Sequence, residues 1–426
     1  MTKPIARTAA ADVGAGLEGA ERAIAELLSE AHVLAAYELP GAIARYAERL
    51  GVRRGLLYLA DLQQIVLVPF LGPEGPAFDE QLEALGVDST LAGRAYQHVE
   101  IHTHDLPDGG TRVWLPLLDG SDRLGVLTVT VPENADLAAG GVLLGRLRLL
   151  ASLAAELVMT KTMYGDTVVR LRRRKAMGLA SEMQWSLMPP LTFACGEVTI
   201  AAALEPAYQV AGDTVDYAVD PSYARIGIFD GMGHGLQSAQ LASLAVAAYR
   251  NARRSGRPLT DIAHSIDTAL LAGFGGEVFT TAVLAELNTE TGLLEWVNAG
   301  HPEPLLLRSG RMVKSLHTDP GLPLGLDPVA AGTHIWQVAA ERLEPGDRVL
   351  FYTDGVTEAR SPDAEFFGVQ RLTDLLIRHL AAGLNTPETM RRIVRTLLEH
   401  QQGQLTDDAT LLLLEWRTGK EQLLLP

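Results

Sequence analysis

The stretch Arg225-Ile-Gly-Ile-Phe-Asp-Gly-Met-Gly-His-Gly235 joins an apolar, strand-like run to a glycine-rich turn, with Asp230 at the junction. Asp213, Asp354 and the adjacent pair Asp407–Asp408 also stand beside apolar runs. Strands that stop together at one edge of a sheet would gather these carboxylates in one place. Carboxylates without histidine or cysteine suit hard divalent cations such as Mg²⁺ or Mn²⁺. Two such cations can activate water against a phosphate.

Each of these segments also has a simpler interpretation. Aspartate and glycine are the commonest turn residues, because aspartate bonds to its own backbone and glycine accepts a positive φ. Any one of the segments could therefore be a turn and nothing more. Four of them in one domain favour a shared site.

Composition limits the classes of protein that remain. A chain of 426 residues predicts two or three domains. The net charge of −16 argues against nucleic acid or an anionic membrane as the main partner. The single cysteine, Cys195, fits a reducing compartment and is interpreted as a small buried apolar residue. No signal peptide or membrane-spanning run is recognised, so a cytoplasmic protein is expected.

The first domain is predicted over residues 17–158, after a disordered tail at 1–16. Apolar spacing from Leu17 to Leu50 predicts two helices divided at Pro40-Gly41. Strands, a helix over Glu80–Val99, a hairpin turning at Asp119-Gly120 and a closing helix follow.

This order resembles a GAF domain. The best local match is the hairpin Trp114-Leu-Pro-Leu-Leu with Arg123-Leu-Gly-Val-Leu-Thr-Val. The resemblance implies a GAF-like α/β sensor domain that binds a small molecule or acts as a dimer module. His102 and His104 are predicted in a surface or loop position.

One continuous helix is predicted from Leu143 towards Leu187, ended by Pro189-Pro190. Its apolar positions step by three, four or seven residues, which resembles a short parallel coiled coil. The positions are Leu150, Leu153, Leu157, Tyr164, Val168 and Leu171. Residues 159–190 are therefore predicted to be a helical linker and dimerisation segment, and a homodimer is expected.

The rest of the chain alternates short strands with two helix pairs, which indicates a layered α+β fold. Predicted strands are Val198–Leu204, Asp216–Val219, Arg225–Phe229, Phe279–Leu287, Leu293–Val297, Pro304–Leu307, Arg348–Tyr352 and Thr410–Leu414. Predicted helices are Gln237–Arg253, Leu259–Leu271, Val369–Leu380 and Pro387–His400.

Residues 191–426 resemble the sporulation-stage-II-E (SpoIIE) subfamily of metal-dependent protein phosphatases, the PPM or type-2C phosphatases. The matching segments, in chain order, are Glu205-Pro-Ala-Tyr-Gln-Val-Ala-Gly-Asp-Thr-Val-Asp, Phe229-Asp-Gly-Met-Gly-His-Gly, Phe279-Thr-Thr-Ala, Asn298-Ala-Gly-His-Pro-Glu-Pro, Leu322-Pro-Leu-Gly-Leu, Pro345-Gly-Asp-Arg-Val-Leu-Phe-Tyr-Thr-Asp-Gly-Val-Thr-Glu-Ala and Asp407-Asp-Ala-Thr. The resemblance implies an α-β-β-α layered domain around a central antiparallel β-sandwich.

The resemblance also implies roles for the aspartates. Asp230 would bridge two Mn²⁺ or Mg²⁺ ions, with the Gly231 carbonyl as a further ligand. Asp213 would serve the second ion, and Asp354 and Asp407 the first. Asp213 and Asp230 are thus the candidate catalytic pair, through the water that such ions activate.

Four more residues are predicted to support these ligands without holding the metal: Asp216, Asp408, His234 and His301. The sequence departs from the family pattern at Ala211 and at Thr214-Val215, which puts the geometry near Asp213 in question. No arginine is evident at the site by motif.

The predicted function is a protein serine/threonine phosphatase under sensor control. The resemblance suggests a phosphorylated anti-sigma-factor antagonist as substrate, in a partner-switching pathway. The two helices after Gly235 are predicted to form a regulatory switch that the linker helix biases. Two alternatives stay open: a catalytically weak module that only docks a partner, and a phosphatase of small phosphate esters.

Overall fold

The computed structural model describes residues 19–72, 82–107, 109–133, 135, 137–138, 141–205, 208, 212–319, 321–326, 336–403, 405 and 407–417. The chain divides into two compact units, residues 1–174 and 175–426. The predicted linker, 159–190, is thereby shared between them. The tail predicted to be disordered, 1–16, lies outside the described residues, as does Ala211. Within the described part, no helix is both long and apolar enough to cross a membrane.

The first unit consists of one antiparallel sheet with helices on both faces. In chain order its elements are α1 Gly19–Ala31, a 3₁₀ turn Ala36–Glu38, α2 Leu39–Arg49, β1 Arg53–Ala60, β2 Val66–Phe70, β3 Leu85–Gly86, α3 Leu91–His98, β4 His102–Asp105, β5 Gly110–Asp119, β6 Asp122–Pro132, α4 Val142–Thr162 and α5 Thr167–Arg172. The strands lie in the order β3-β2-β1-β6-β5-β4. Side chains alternate along β1, so Leu57 and Leu59 pack under α1, α2 and α4, whereas Tyr58 and Ala60 pack under α3.

The β5–β6 hairpin at Asp119-Gly120 is confirmed, but two other local predictions are wrong. The first two helices separate before the 3₁₀ turn, and Pro40 lies in the first turn of α2. Proline has no N–H to lose there, so it starts a helix rather than ending one. In place of one helix over Glu80–Val99, the described part of that range has the short strand β3 and α3. His102 and His104 lie on the edge strand β4, where His104 is exposed, as predicted for a surface position, and His102 is half-buried.

The predicted long helix from Leu143 to Leu187 is also wrong. Two breaks divide it into α4, α5 and α6, the last being Leu179–Leu187. Leu150, Leu157 and Val168 of the predicted seam are buried in the core of the first unit. A heptad-like spacing cannot distinguish a helix that faces a partner from one that faces its own domain.

The second unit is a four-layer structure of helices, sheet, sheet and helices, which confirms the predicted α+β fold. After α6 its elements are β7 Thr192–Ala194, β8 Val198–Glu205, β9 Asp213–Asp220, β10 Tyr223–Gly231, α7 Leu236–Arg254, α8 Leu259–Phe274, β11 Thr280–Asn288, β12 Leu293–Ala299, β13 Leu305–Arg308, β14 Arg311–Ser315, β15 Ala339–Arg342, β16 Arg348–Tyr352, α9 Asp354–Thr357, α10 Gly368–Ala381, α11 Thr386–His400 and β17 Ala409–Trp416. One sheet has the order β15-β12-β11-β10-β9 and the other β14-β13-β16-β17-β8-β7.

Three cores hold these layers together. The middle one lies between the two sheets and includes Ile226, Ile228 and Leu412. A second lies between α7, α8 and the outer face of the first sheet, and a third between α10, α11 and the outer face of the other sheet. Strand β17 is buried along its whole length because both of its faces are covered. Cys195 packs against the middle core but is only half-buried, with its thiol 3.3 Å from Glu197 Oε2, so the predicted burial is partial.

Candidate metal centre

The candidate site lies where the inner face of the first sheet changes from apolar to polar. Asp230 on β10 is the cross-strand partner of Asp213 on β9 and of Thr281 on β11. Two positions further along each strand, the same face carries three core residues: Val215, Ile228 and Val283. Because side chains alternate along a strand, Asp213, Asp230 and Thr281 form a polar row facing the space between the sheets. Asp213 and Asp230 thus lie within paired strands, not in turns.

The opposite sheet completes this polar layer. Thr353, directly after β16, donates a hydrogen bond of 2.6 Å from Oγ1 to Asp213 Oδ2. Asp408, directly before β17, accepts a 2.7 Å bond at Oδ2 from the backbone N–H of Gly212. The next residue in sequence after Thr353, Asp354, begins the short helix α9. Two hydrogen bonds therefore join the ends of the two sheets at the place where the aspartates gather.

Two glycines allow this close approach. A Cβ atom on Gly212 would lie 2.2 Å from the carbonyl oxygen of Gly231, and one on Gly355 would lie 1.8 Å from that of Asp408. Real Cβ atoms do not come so close to backbone oxygen, so only glycine fits at either position. The glycine after Asp354 therefore lets the Asp408 backbone pack against it.

The carboxyl groups of the site carry like charges that are held close together. Burial, followed by the charges of Asp230 and Asp408, raises the pKa of Asp213 well above its ordinary value. Burial, with the charges of Asp354, Asp407 and Asp408, raises the pKa of Asp230 to about 7. The Asp230 carboxyl also shares a hydrogen bond with Asp213, which opposes part of that rise.

Asp354 marks the open side of the site. Burial raises its pKa, with further contributions from the charges of Glu358 and Asp407. Asp354 and Asp407 are exposed, whereas Asp213 is buried. The cluster is therefore closed around Asp213 and open to solvent at Asp354 and Asp407.

Carboxylate oxygens are the type of ligand that a hard divalent cation prefers. Such an ion would also relieve the repulsion between these carboxylates. The described residues contain no group of three or more His, Cys, Asp or Glu side chains spaced to hold a metal ion as they stand. Instead, Asp213 is hydrogen-bonded to Thr353 and to Asp230. A cation that binds the Asp213 carboxylate would compete with these hydrogen bonds.

The residues predicted to support the ligands fall in different places. Asp408 is part of the polar layer. Asp216 is buried three positions after Asp213 and forms ion pairs with Arg250 at 2.6 Å and Arg253 at 3.0 Å. His234 is exposed in the glycine-rich turn. His301 is buried beside Thr281.

Sequence reasoning missed the hydroxyl groups and the helix contacts around Asp213. Thr353, Thr281 and Gln184 all contact the aspartate row or its backbone. The Gln184 side chain, on α6, donates a 2.9 Å bond to the backbone carbonyl of Asp213. A signal was present for the two threonines, because Thr353 directly precedes Asp354 and Thr281 lies in the segment Phe279-Thr-Thr-Ala.

Comparisons with known proteins show which proteins the second unit is similar to. Residues 220–417 match the family model "Stage II sporulation protein E (SpoIIE)". Phosphoserine phosphatase RsbU of Bacillus subtilis is 26% identical over 216 residues, which cover 50% of this chain and 62% of RsbU. Protein IcfG of Synechocystis sp. is 32% identical over 136 residues, 32% of this chain and 20% of IcfG.

A solved structure, the SiaA-PP2C domain of Pseudomonas aeruginosa, is 24% identical with a TM-score of 0.46, over 55% of this chain and 94% of that domain. The chain spans less than two thirds of the length of either curated relative. Residues 220–417 therefore carry a SpoIIE-type domain.

Proposed function

We propose that the second unit is a metal-dependent protein phosphatase that hydrolyses phosphoserine or phosphothreonine. The observation that most supports this is the meeting of four separate chain segments at one end of two facing sheets. Those segments carry Asp213, Asp230, Asp354 and the pair Asp407–Asp408. Their raised pKa values are typical of a functional site, because a fold gains no stability from unneutralised carboxylates.

In this proposal Asp230 would hold both Mn²⁺ or Mg²⁺ ions, with the Gly231 carbonyl as a further ligand. Asp213 would serve the second ion, and Asp354 and Asp407 the first. When bound, such ions lower the pKa of water and neutralise phosphate charge. The Thr353 hydroxyl fixes the Asp213 carboxylate, and the exposed side of the cluster leaves room for a phosphorylated segment of another protein. Because the clustered carboxylates repel one another, the binding of positive ions would be favoured.

We further propose that the substrate is a phosphorylated anti-sigma-factor antagonist in a partner-switching pathway. The support is the relationship to RsbU, a phosphoserine phosphatase by name. Removing a phosphate takes away a charge of about −2, which is enough to change the partner that a protein binds.

Regulation is proposed to reach the site through helix α6. Arg250 on α7 donates to the carbonyl of Leu187, the last residue of α6, and pairs with Asp216 on β9. Gln184 of α6 bonds to Asp213 itself. A shift of α6, or of the proposed switch helices α7 and α8, would therefore move the strand that bears Asp213. The GAF-like first unit, acting as a sensor or dimer module, would supply that shift.

One observation favours the alternative of a catalytically weak docking module. No group of three described acidic, histidine or cysteine residues has metal-binding spacing as it stands. A module that docks a phosphoprotein without cleaving it would show saturable binding and no turnover.

The test is turnover of a phosphoserine protein and of a sugar phosphate, with and without Mn²⁺. Asp230→Ala and Asp354→Ala should each lower Mn²⁺-dependent turnover by about a thousandfold, the loss of several kcal/mol of charge stabilisation. Asp374→Ala is the matched control, because Asp374 is an exposed aspartate on α10. Retained turnover in both site variants would exclude the proposal, and binding without turnover in the unaltered chain would establish the docking module.

A further inference from the structure

His301 makes a specific contact with the aspartate row. Its imidazole is 5% exposed, and Nδ1 lies 2.8 Å from Thr281 Oγ1. Thr281 is the direct cross-strand partner of Asp230, so the two side chains point to the same face of the sheet. His301 therefore extends the row that runs from Asp213 through Asp230 and Thr281.

The backbone of His301 is held at that position. Asn298, at the end of β12, accepts a bond from the His301 N–H and donates one to the His301 carbonyl, both of 2.8 Å. Gly300 between them has a φ of +71°, and a Cβ there would lie 2.9 Å from Pro323. A tight turn thus sets where the imidazole points, and little freedom remains to the residue.

The other ring nitrogen has no such contact: Nε2 is buried and makes no hydrogen bond within the described residues. Among these residues, the imidazole is therefore held through Nδ1 and Thr281. That contact is satisfied when the Thr281 hydroxyl donates to Nδ1, or when an Nδ1–H donates to the hydroxyl oxygen.

We propose that His301 is a positioning residue that holds Thr281 and, through it, the Asp230-bearing end of the first sheet. The inference rests on the proposed metal-dependent function. Thr353 holds the row at Asp213, on one side of Asp230. His301 holds it at Thr281, on the other side.

The burial of the His301 imidazole distinguishes a positioning role from that of a proton donor to a leaving group. Burial lowers the pKa of His301 to about 3, so the imidazole is neutral at ordinary pH. A neutral, enclosed imidazole is too weak an acid to protonate a leaving group at physiological pH, but it can still hold a hydrogen bond to Thr281. Its contribution should therefore be seen in metal binding and not in the chemical step.

The experiment measures the Kd for Mn²⁺ by titration calorimetry on the full chain, together with kcat at saturating Mn²⁺. His301→Phe keeps the ring and removes both nitrogens, and Thr281→Val removes only the hydroxyl. Each should weaken Mn²⁺ binding by about tenfold, as loss of a group that orients a metal ligand does. At saturating Mn²⁺, kcat should return to near that of the unaltered chain.

Two further variants sharpen the result. His301→Asn, which can keep a polar atom near the position of Nδ1, should lose less affinity than His301→Phe. The double variant His301→Phe/Thr281→Val should be no worse than either single variant, because both remove the same contact. If His301→Phe does not fold, the Thr281→Val and His301→Asn results carry the same test.

An unchanged Kd in Thr281→Val and the His301 variants would overturn the positioning role, as would a kcat loss that persists at saturating Mn²⁺. Neither result would affect the proposed phosphatase. If the unaltered chain binds no Mn²⁺ at all, the proposed function itself fails, and with it this inference.

Discussion

The aspartates of the candidate site are held by groups far away in sequence. Asp213 is bonded by Thr353, 140 residues later, and Asp408 by the backbone of Gly212, 196 residues earlier. These bonds fix the carboxylates but leave their charges unneutralised. The metal-free site is therefore a local source of instability, whose size depends on protonation.

Asp230→Asn should stabilise the metal-free protein at about pH 8 while abolishing Mn²⁺-dependent turnover. The folded pKa of Asp230 is about 7, against an ordinary value of 3.8. A carboxyl whose pKa is raised on folding favours the folded state when protonated, and this stability is lost as pH rises from about 4 to about 7. The amide never ionises, so the variant avoids that loss.

The measurement is the melting temperature in a chelator at about pH 5 and about pH 8. The gap between variant and unaltered chain should open as pH rises, whereas Asp374→Asn should show no such gap. A melting temperature of Asp230→Asn below that of the unaltered chain at the higher pH would contradict the electrostatic account.

Helix α6 contacts the Asp213-bearing strand β9 through one buried side chain. Gln184 is 1% exposed, and its bond to the Asp213 carbonyl links the helix to β9. Ser186, on the same helix, bonds only within α6, to the carbonyl of Met183. Substituting each side chain in turn therefore distinguishes the effect of the contact with the site from the effect of local helix stability.

Gln184→Met should weaken Mn²⁺ binding about fivefold, because a buried hydrogen bond contributes about 1 kcal/mol and methionine has nearly the same shape. Calorimetry with Mn²⁺ is the readout, and Ser186→Ala is the control that should leave the Kd unchanged. Equal Mn²⁺ affinity in the Gln184 variant and the control would show that α6 does not influence the site.

The sequence predicted the strands well and the helices between the domains poorly. Strand β16 has the predicted limits, and β10 differs by two residues at each end, because apolar runs bounded by turn residues are a local signal. The breaks after α4 and α5 depend on which core each helix packs against, and spacing alone does not record that. The aspartates could be predicted from motifs, whereas their threonine partners depend on contacts across more than a hundred residues.

The chain as a whole is two compact units, each with its own core. Calorimetric unfolding of the full chain should therefore show two transitions, since separate cores need not unfold together. Mn²⁺ should raise only the free energy of unfolding of the second unit, by about 2.7 kcal/mol when free Mn²⁺ is a hundredfold above Kd. A single unfolding transition, or an equal shift of both transitions on adding Mn²⁺, would contradict the independent unfolding of the two units.

The sheet order of the second unit also governs when the site can first exist during synthesis. Strand β17, the last described strand of the unit in chain order, lies between β16 and β8, and β8 comes near the start of the unit. Until residues 407–416 emerge from the ribosome, β8 lacks its neighbour and the Asp407–Asp408 pair is absent. A nascent chain that has not yet released these residues therefore cannot assemble the candidate site, however much of the unit has already folded.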